Sequence, residues 1–132
     1  EVYSYDAGSE RWNVWHADSE IPSDLNILEP GKAYIVRSKA PADVKIAGKQ
    51  QVGGVEVPVT TKLSKGWNLI GVFSQKPVQM EDAFLTITGK YASLYEFYVD
   101  SFRKVEIKEK DKLLQPGTGY WIYATEKGEI PS

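Results

Sequence analysis

Apolar and polar residues alternate in short runs along this chain, and Pro, Gly and Asp separate the runs. Val2-Tyr3-Ser4-Tyr5-Asp6 and Leu94-Tyr95-Glu96-Phe97-Tyr98 are aromatic, strand-forming stretches. Gly66-Trp67-Asn68-Leu69-Ile70-Gly71-Val72 reads as the strongest buried strand, with the alternating Val55, Val57 and Val59 ahead of it. Phe102-Arg103-Lys104-Val105-Glu106-Ile107-Lys108 alternates cleanly and predicts a strand with one wet face. In residues 78–87 the period changes. Met80, Phe84 and Ile87 recur at helical spacing, and Gly89 stands where a helix would stop. The pattern predicts a mostly β protein, a small barrel or a sandwich, with one short helix near 78–87. Trp67, Leu69, Tyr120 and Ile122 are the expected core.

The same landmarks occur twice. Leu28-Glu29-Pro30-Gly31-Lys32-Ala33-Tyr34-Ile35-Val36 matches Leu114-Gln115-Pro116-Gly117-Thr118-Gly119-Tyr120-Trp121-Ile122, with Leu, Pro, Gly and Tyr in register. Pro-Gly supplies the fixed φ and the positive φ of a type II turn, which delivers the chain into the following strand. An aromatic strand lies upstream of each motif, at residues 2–6 and 94–98. Residues 1–50 therefore read as a partial first copy whose opening strand and helix are missing. Residues 51–132 read as a complete second copy, and the two are expected to pack as one compact unit. A sheet short of one strand leaves backbone groups and an apolar face uncovered. The expected open edge is at Tyr3 to Tyr5, to be covered by residues 52–59 or by a strand-exchanged second chain. The chain starts at Glu1-Val2-Tyr3, inside a strand-like pattern, and reads as a piece of a larger protein.

These residues resemble a known tandem repeat. Gly66-Trp67-Asn68-Leu69-Ile70-Gly71, Ile87-Thr88-Gly89-Lys90-Tyr91 and Pro116-Gly117-Thr118-Gly119-Tyr120-Trp121-Ile122 are similar to a repeat of large secreted and cell-surface proteins from archaea, often thermophilic, and some bacteria. The first copy matches at residues 2–6, at Trp12 and at residues 28–36. It departs at Ala33 and Ile35, where the pattern has Gly and Trp. The resemblance implies an accessory extracellular module, and it carries over no catalytic residue.

Composition narrows the function classes. With a net charge of -2 and acids and bases intermixed, the chain has no basic field for nucleic acid and no cationic face for a membrane. Its 132 residues are 42% hydrophobic, enough for a packed interior, and contain no cysteine for disulfides or thiolate metal sites. One methionine and abundant Lys and Glu lean towards a thermophile.

Candidate chemistry is sparse. The single histidine, His16, has no glycine elbow or flanking serine motif, so a hydrolytic triad is not expected. Of the carboxylates Asp6, Glu10, Asp18, Glu20, Asp24 and Glu96, none stands out as a glycosidase pair. Calcium is the one candidate cofactor, with Asp6, Glu10, Asp18 and Asp24 as ligands in two acidic loops that lack EF-hand spacing. Gly53-Gly54 and the Pro116–Gly119 cluster lack the Lys-Ser/Thr of a phosphate cradle and read as turns. Aromatics are the informative set. Trp12, Trp15, Tyr34, Trp121 and Tyr123 are the candidates for stacking on sugar rings, against the alternative that they join sheet to sheet. The expected function is a non-catalytic extracellular module for attachment, assembly or spacing, secreted or at the cell surface. The alternatives are a carbohydrate-binding module beside a secreted hydrolase and, behind it, a small hydrolase. Expected partners are other domains of a parent protein and cell-surface polysaccharide.

Overall fold

Two Pro-Gly turns set where the strands that follow them begin. Gly31 and Gly117 take φ of +77° and +78°, and the turns close through Lys32 N–H to Glu29 O (3.4 Å) and Thr118 N–H to Gln115 O (3.3 Å). The tyrosine of each motif folds back on its own turn. The Glu29 N–H donates to the Tyr34 hydroxyl, and the Gln115 N–H donates to the Tyr120 hydroxyl, both at 2.7 Å. The spacing Pro-Gly-x-x-Tyr is thus a hydrogen-bonded unit that aims the next strand.

The computed structural model describes residues 1–48, 59–109 and 111–131. In chain order the elements are β1 (Val2–Asp6), β2 (Arg11–Trp15), β3 (Ile35–Val36), β4 (Thr60–Leu63), β5 (Gly66–Ile70), β6 (Val78–Gln79), α1 (Met80–Ala83), a 3-10 turn (Leu85–Ile87), β7 (Tyr91–Tyr98), β8 (Ser101–Val105), β9 (Leu113–Leu114), β10 (Tyr120–Ala124) and β11 (Gly128–Pro131). The first sheet has the order β2-β1-β3 and the second the order β5-β10-β7-β8, all antiparallel; β11 with β4 and β6 with β9 form two-stranded ribbons. No closed barrel forms among the described residues, and the chain is a small, mostly β domain of several antiparallel sheets. No described helix is long and apolar enough to cross a membrane.

The two sheets share one register. Tyr5 faces Trp12 across β1 and β2 as Phe97 faces Phe102 across β7 and β8. Ser4 faces Asn13 as Glu96 faces Arg103. Ile35 faces Tyr3 as Trp121 faces Tyr95. The first sheet therefore reproduces β8-β7-β10 without a counterpart of β5.

Alternation sends the two faces of the second sheet to different layers. Ile70, Leu94, Val105, Tyr120, Ile122 and Ala124 point into the main core, where Leu63, Met80, Phe84, Ile87, Leu114 and Ile130 meet them. The opposite face carries Trp67, Tyr95, Phe102, Trp121 and Tyr123 and meets Tyr5 and Trp12 of the first sheet.

Several expectations change. Leu69, Tyr120 and Ile122 are buried, but Trp67 is 40% exposed; it lies opposite Tyr123 and so belongs to the outer aromatic face. The predicted helix is split. Residues 78–79 pair with β9 instead, and Phe84, at φ −109°, ends α1 and starts the 3-10 turn. Met80, Phe84 and Ile87 still face the core. The strand expected at 102–108 ends at Val105, and the chain then turns through Glu109 N–H to Glu106 O. Tyr3 to Tyr5 is not an edge: β1 is the central strand of its sheet, with β2 on one side and β3 on the other. The valine-rich stretch proposed to cover it lies, except for Val59, outside the described residues.

The two glycines of the Pro-Gly turns make a matched pair. Gly31 is pressed against the second half of the chain: an added Cβ would come within 2.0 Å of Thr61 Oγ1 and 2.4 Å of the Phe73 ring, whereas one on Gly117 meets nothing within 4 Å. Both sites need a positive φ, which costs a side-chain-bearing residue about 1–2 kcal/mol. Gly117→Ala is expected to lose about 1 kcal/mol and Gly31→Ala about 3 kcal/mol or more, because only the second adds a steric clash to the strain. Urea denaturation of the two variants side by side checks the difference.

Candidate functional site

The strongest site candidate is the aromatic layer between the sheets. On β10, Trp121 and Tyr123 share the face opposite Tyr120 and Ile122, and pairing brings Trp67 of β5 and Tyr95 of β7 alongside. Tyr5 and Trp12 approach from the first sheet. Trp121 is the hub, with ring centroids 5.1 Å from Tyr5, 5.8 Å from Trp12, 6.2 Å from Trp67 and 6.3 Å from Phe102. Around it, Trp67 meets Tyr95 at 5.8 Å and Tyr123 at 5.2 Å. The interplanar angles run from 57° to 90°. Edge-to-face contact of this kind places the positive rim of one ring on the negative face of the next. It is the geometry of rings packed on each other, and it leaves no coplanar row for a sugar. Six of these side chains line a shallow, open depression of about 410 Å³: Tyr5, Trp12, Trp67, Tyr95, Phe102 and Trp121.

The five stacking candidates divide. Trp12, Trp121 and Tyr123 join the aromatic layer. Trp15, opposite Val2, lies on the other face of the first sheet, and the Tyr34 hydroxyl is engaged in its own turn. Tyr5, Trp67, Tyr95 and Phe102 are not among the stacking candidates of the sequence. The signal for them was present in the alternation of 94–98 and 102–105, but only strand pairing tells which alternate face meets the first sheet.

The calcium candidates do not converge. The Asp6 carboxylate accepts from the Ser9 hydroxyl (2.5 Å) and the Gly8 N–H (3.1 Å), and these bonds hold its carboxyl below the ordinary range. Asp18 accepts from the Glu20 N–H at 3.0 Å, and Asp24 accepts from the Val14 N–H at 2.6 Å. Asp6 and Asp18 tie their own loops, Asp24 ties its segment to β2, and Glu10 takes a positive φ of 55° in the β1–β2 turn. No three His, Cys, Asp or Glu side chains stand close enough to hold a metal ion among the described residues. His16 lies 3.5 Å from the Glu1 carboxylate, and its backbone N–H donates to the Ser23 hydroxyl.

Among the described residues, Glu96 is the buried carboxylate. It stands on the core face of β7 and accepts from Arg103 Nε (2.5 Å) and Lys112 Nζ (2.9 Å). Burial pushes its carboxyl up, and the hydrogen bonds and charges of Lys112 and Arg103 outweigh that, so it lies below the ordinary value of 4.5. Arg103 also stacks over Tyr98, 3.8 Å from the ring centre. A carboxylate held ionised by two cations is the reverse of a general acid, which needs a raised pKa.

Compared with known protein families, curated proteins and solved structures, the chain matches none.

Two experiments probe these groups. Trp121→Ala is expected to cost about 3 kcal/mol, within the usual range for truncating a packed aromatic, and Trp67→Ala about 1–2 kcal/mol because it is 40% exposed. Thermal melts rank the two. For Glu96 the folded value is depressed, so its stabilisation is fully present above the unfolded value near 4.5 and is lost as pH falls through the folded one. Glu96→Gln is expected to cost about 2–4 kcal/mol at neutral pH. The gap to the parent chain should shrink in stability measurements taken well below pH 4.5.

Proposed function

We propose that this chain is a non-catalytic module of a larger secreted or surface protein, acting as a spacer or assembly unit among like modules. The observation that supports this most is the aromatic layer. Its rings interlock edge to face between two sheets of identical register, which suits joining repeat to repeat and leaves no convergent polar groups around a ligand. The ion-paired Glu96 and the hydrogen-bonded Asp6, Asp18 and Asp24 support the non-catalytic part of the reading, since each carboxylate already has structural partners.

A second reading has one observation in its favour. Trp12 is 45% exposed at the rim of a depression lined by aromatics, where a sugar ring can stack on an indole. The two readings separate on a polysaccharide panel and a glycan array applied to the intact chain. No binding tighter than about 1 mM is expected, and Trp12→Ala is expected to lower the melting temperature without altering retention. Binding below that threshold, abolished in a folded Trp12→Ala protein, would replace the spacer reading with a carbohydrate-binding one.

A further inference from the structure

The outer face of the first sheet buries Ser4 but leaves apolar side chains around it about half exposed, and the second sheet provides the template for what fits there. The shared register gives each position a counterpart. Val36 corresponds to Ile122, Trp15 to Val105, and Leu28 to Leu114. In the second sheet these counterparts are 0%, 4% and 0% exposed, beneath α1, the 3-10 turn and the two ribbons; in the first they are 58%, 43% and 48% exposed.

The backbone points the same way. Arg37 N–H donates to Glu1 O at 3.0 Å, so residues 37 and 1 form a hydrogen-bonded pair of the β1–β3 ladder. Bonded and non-bonded pairs alternate in an antiparallel ladder. The N–H and C=O of Val36 therefore point away from β1, to an edge on which no described strand pairs. Its counterpart Ile122 stands opposite Asn68 of β5 on that same side.

We propose that the outer edge of β3 and the adjoining apolar face dock a strand-and-helix unit of this same repeat, a segment with the pattern of residues 66–87, supplied ahead of β1. The position follows from the second copy, where the chain runs β5, α1, β7 and then β8. The strand of the unit pairs with β3 as β5 pairs with β10. Its helical residues cover Val2, Trp15 and Val36 as Met80, Phe84 and Ile87 cover Leu94, Val105 and Ile122. The source of the segment rests on the reading of like modules in one larger protein, whereas the surface itself rests on the register alone.

The test is a chimaera. Register equates Glu1 with Ser93, so a second copy of residues 60–92 is placed directly before Glu1 of the intact chain. The Val36 amide is expected to exchange at least about 100-fold more slowly than in the parent chain, and Trp15 fluorescence to shift to the blue. Unchanged exchange at Val36 overturns the proposal. If the chimaera does not fold, the 60–92 peptide added to the intact chain must shift the Val36 and Trp15 resonances, and their failure to move also overturns it. In the parent chain alone, protection of Val36 at all concentrations would assign the edge to residues 49–58. Protection appearing only with a dimer would assign it to a second chain. Either result overturns the proposal. Polysaccharide binding would remove the spacer reading and leave the Val36 result to judge the docking surface separately.

Discussion

Everything in this fold hangs on a strand that is packed on both sides. β10 is flanked by β5 and β7, and its alternate side chains serve two layers: Tyr120, Ile122 and Ala124 enter the core, while Trp121 and Tyr123 enter the aromatic layer. Such a strand has no wet face to absorb a register error, since a slip of one residue would exchange the two sets. The bond from the Gln115 N–H to the Tyr120 hydroxyl adds a local constraint on the same register. It ties the first residue of the strand to the turn before it, and Pro116 and Gly117 give that turn its shape.

Much of this was legible along the chain. The Pro-Gly motifs, the aromatic strands at 2–6 and 94–98 and the apolar spacing of Met80, Phe84 and Ile87 all mark features that exist. What period-two alternation cannot tell is which face is the inside when both faces are apolar. Trp67 sits in the most hydrophobic run of the sequence and still lies on the half-open side, because Asn68 takes the core position. That asparagine looks out of place in a buried strand. Its side-chain amide donates to Ser64 O and Gly66 O and accepts from the Ser64 N–H, so it is the clasp of the β4–β5 turn. The aromatic layer escaped residue-by-residue reading for a related reason: its members come from six strands, and only pairing assembles them. The acidic loops misled in the opposite direction. Aspartates at turns are consumed by neighbouring N–H groups, a local use that competes with metal binding.

The two copies differ most where they correspond. Glu96 and Arg103 hold an ion pair at a position where the first sheet has Ser4 and Asn13. A charge pair buried beside a core is costly unless fully partnered, and Lys112 supplies the remaining partner. The first sheet buries the same position, with Ser4 6% exposed, but fills it with small neutral groups. The copies also touch at equivalent positions: a Cβ on Gly119 would stand 3.1 Å from the Cβ of Ala33. The turn of the first copy is further stitched to the second, with Gly71 N–H donating to Gly31 O at 3.0 Å and Lys32 bridging Ile70.

Identical registers also create a competition during folding. Before the sheets have formed, β10 meets in β1 an aromatic strand with the same spacing as β7, and β3 meets the same choice in reverse. Ile122 opposite Val2, or Trp121 opposite Tyr3, would satisfy the ladder as well as the native partners do. Backbone hydrogen bonding therefore contributes almost nothing to the choice, and side chains must open the energy gap between native and swapped pairings. The departures of the first copy from its own motif do that. Ile35 is too small to be the hub that Trp121 is, and Ser4 offers Tyr120 none of the partnered charge that Glu96 does. Where a duplicated motif is imperfect, the imperfection is what tells the chain which half it belongs to.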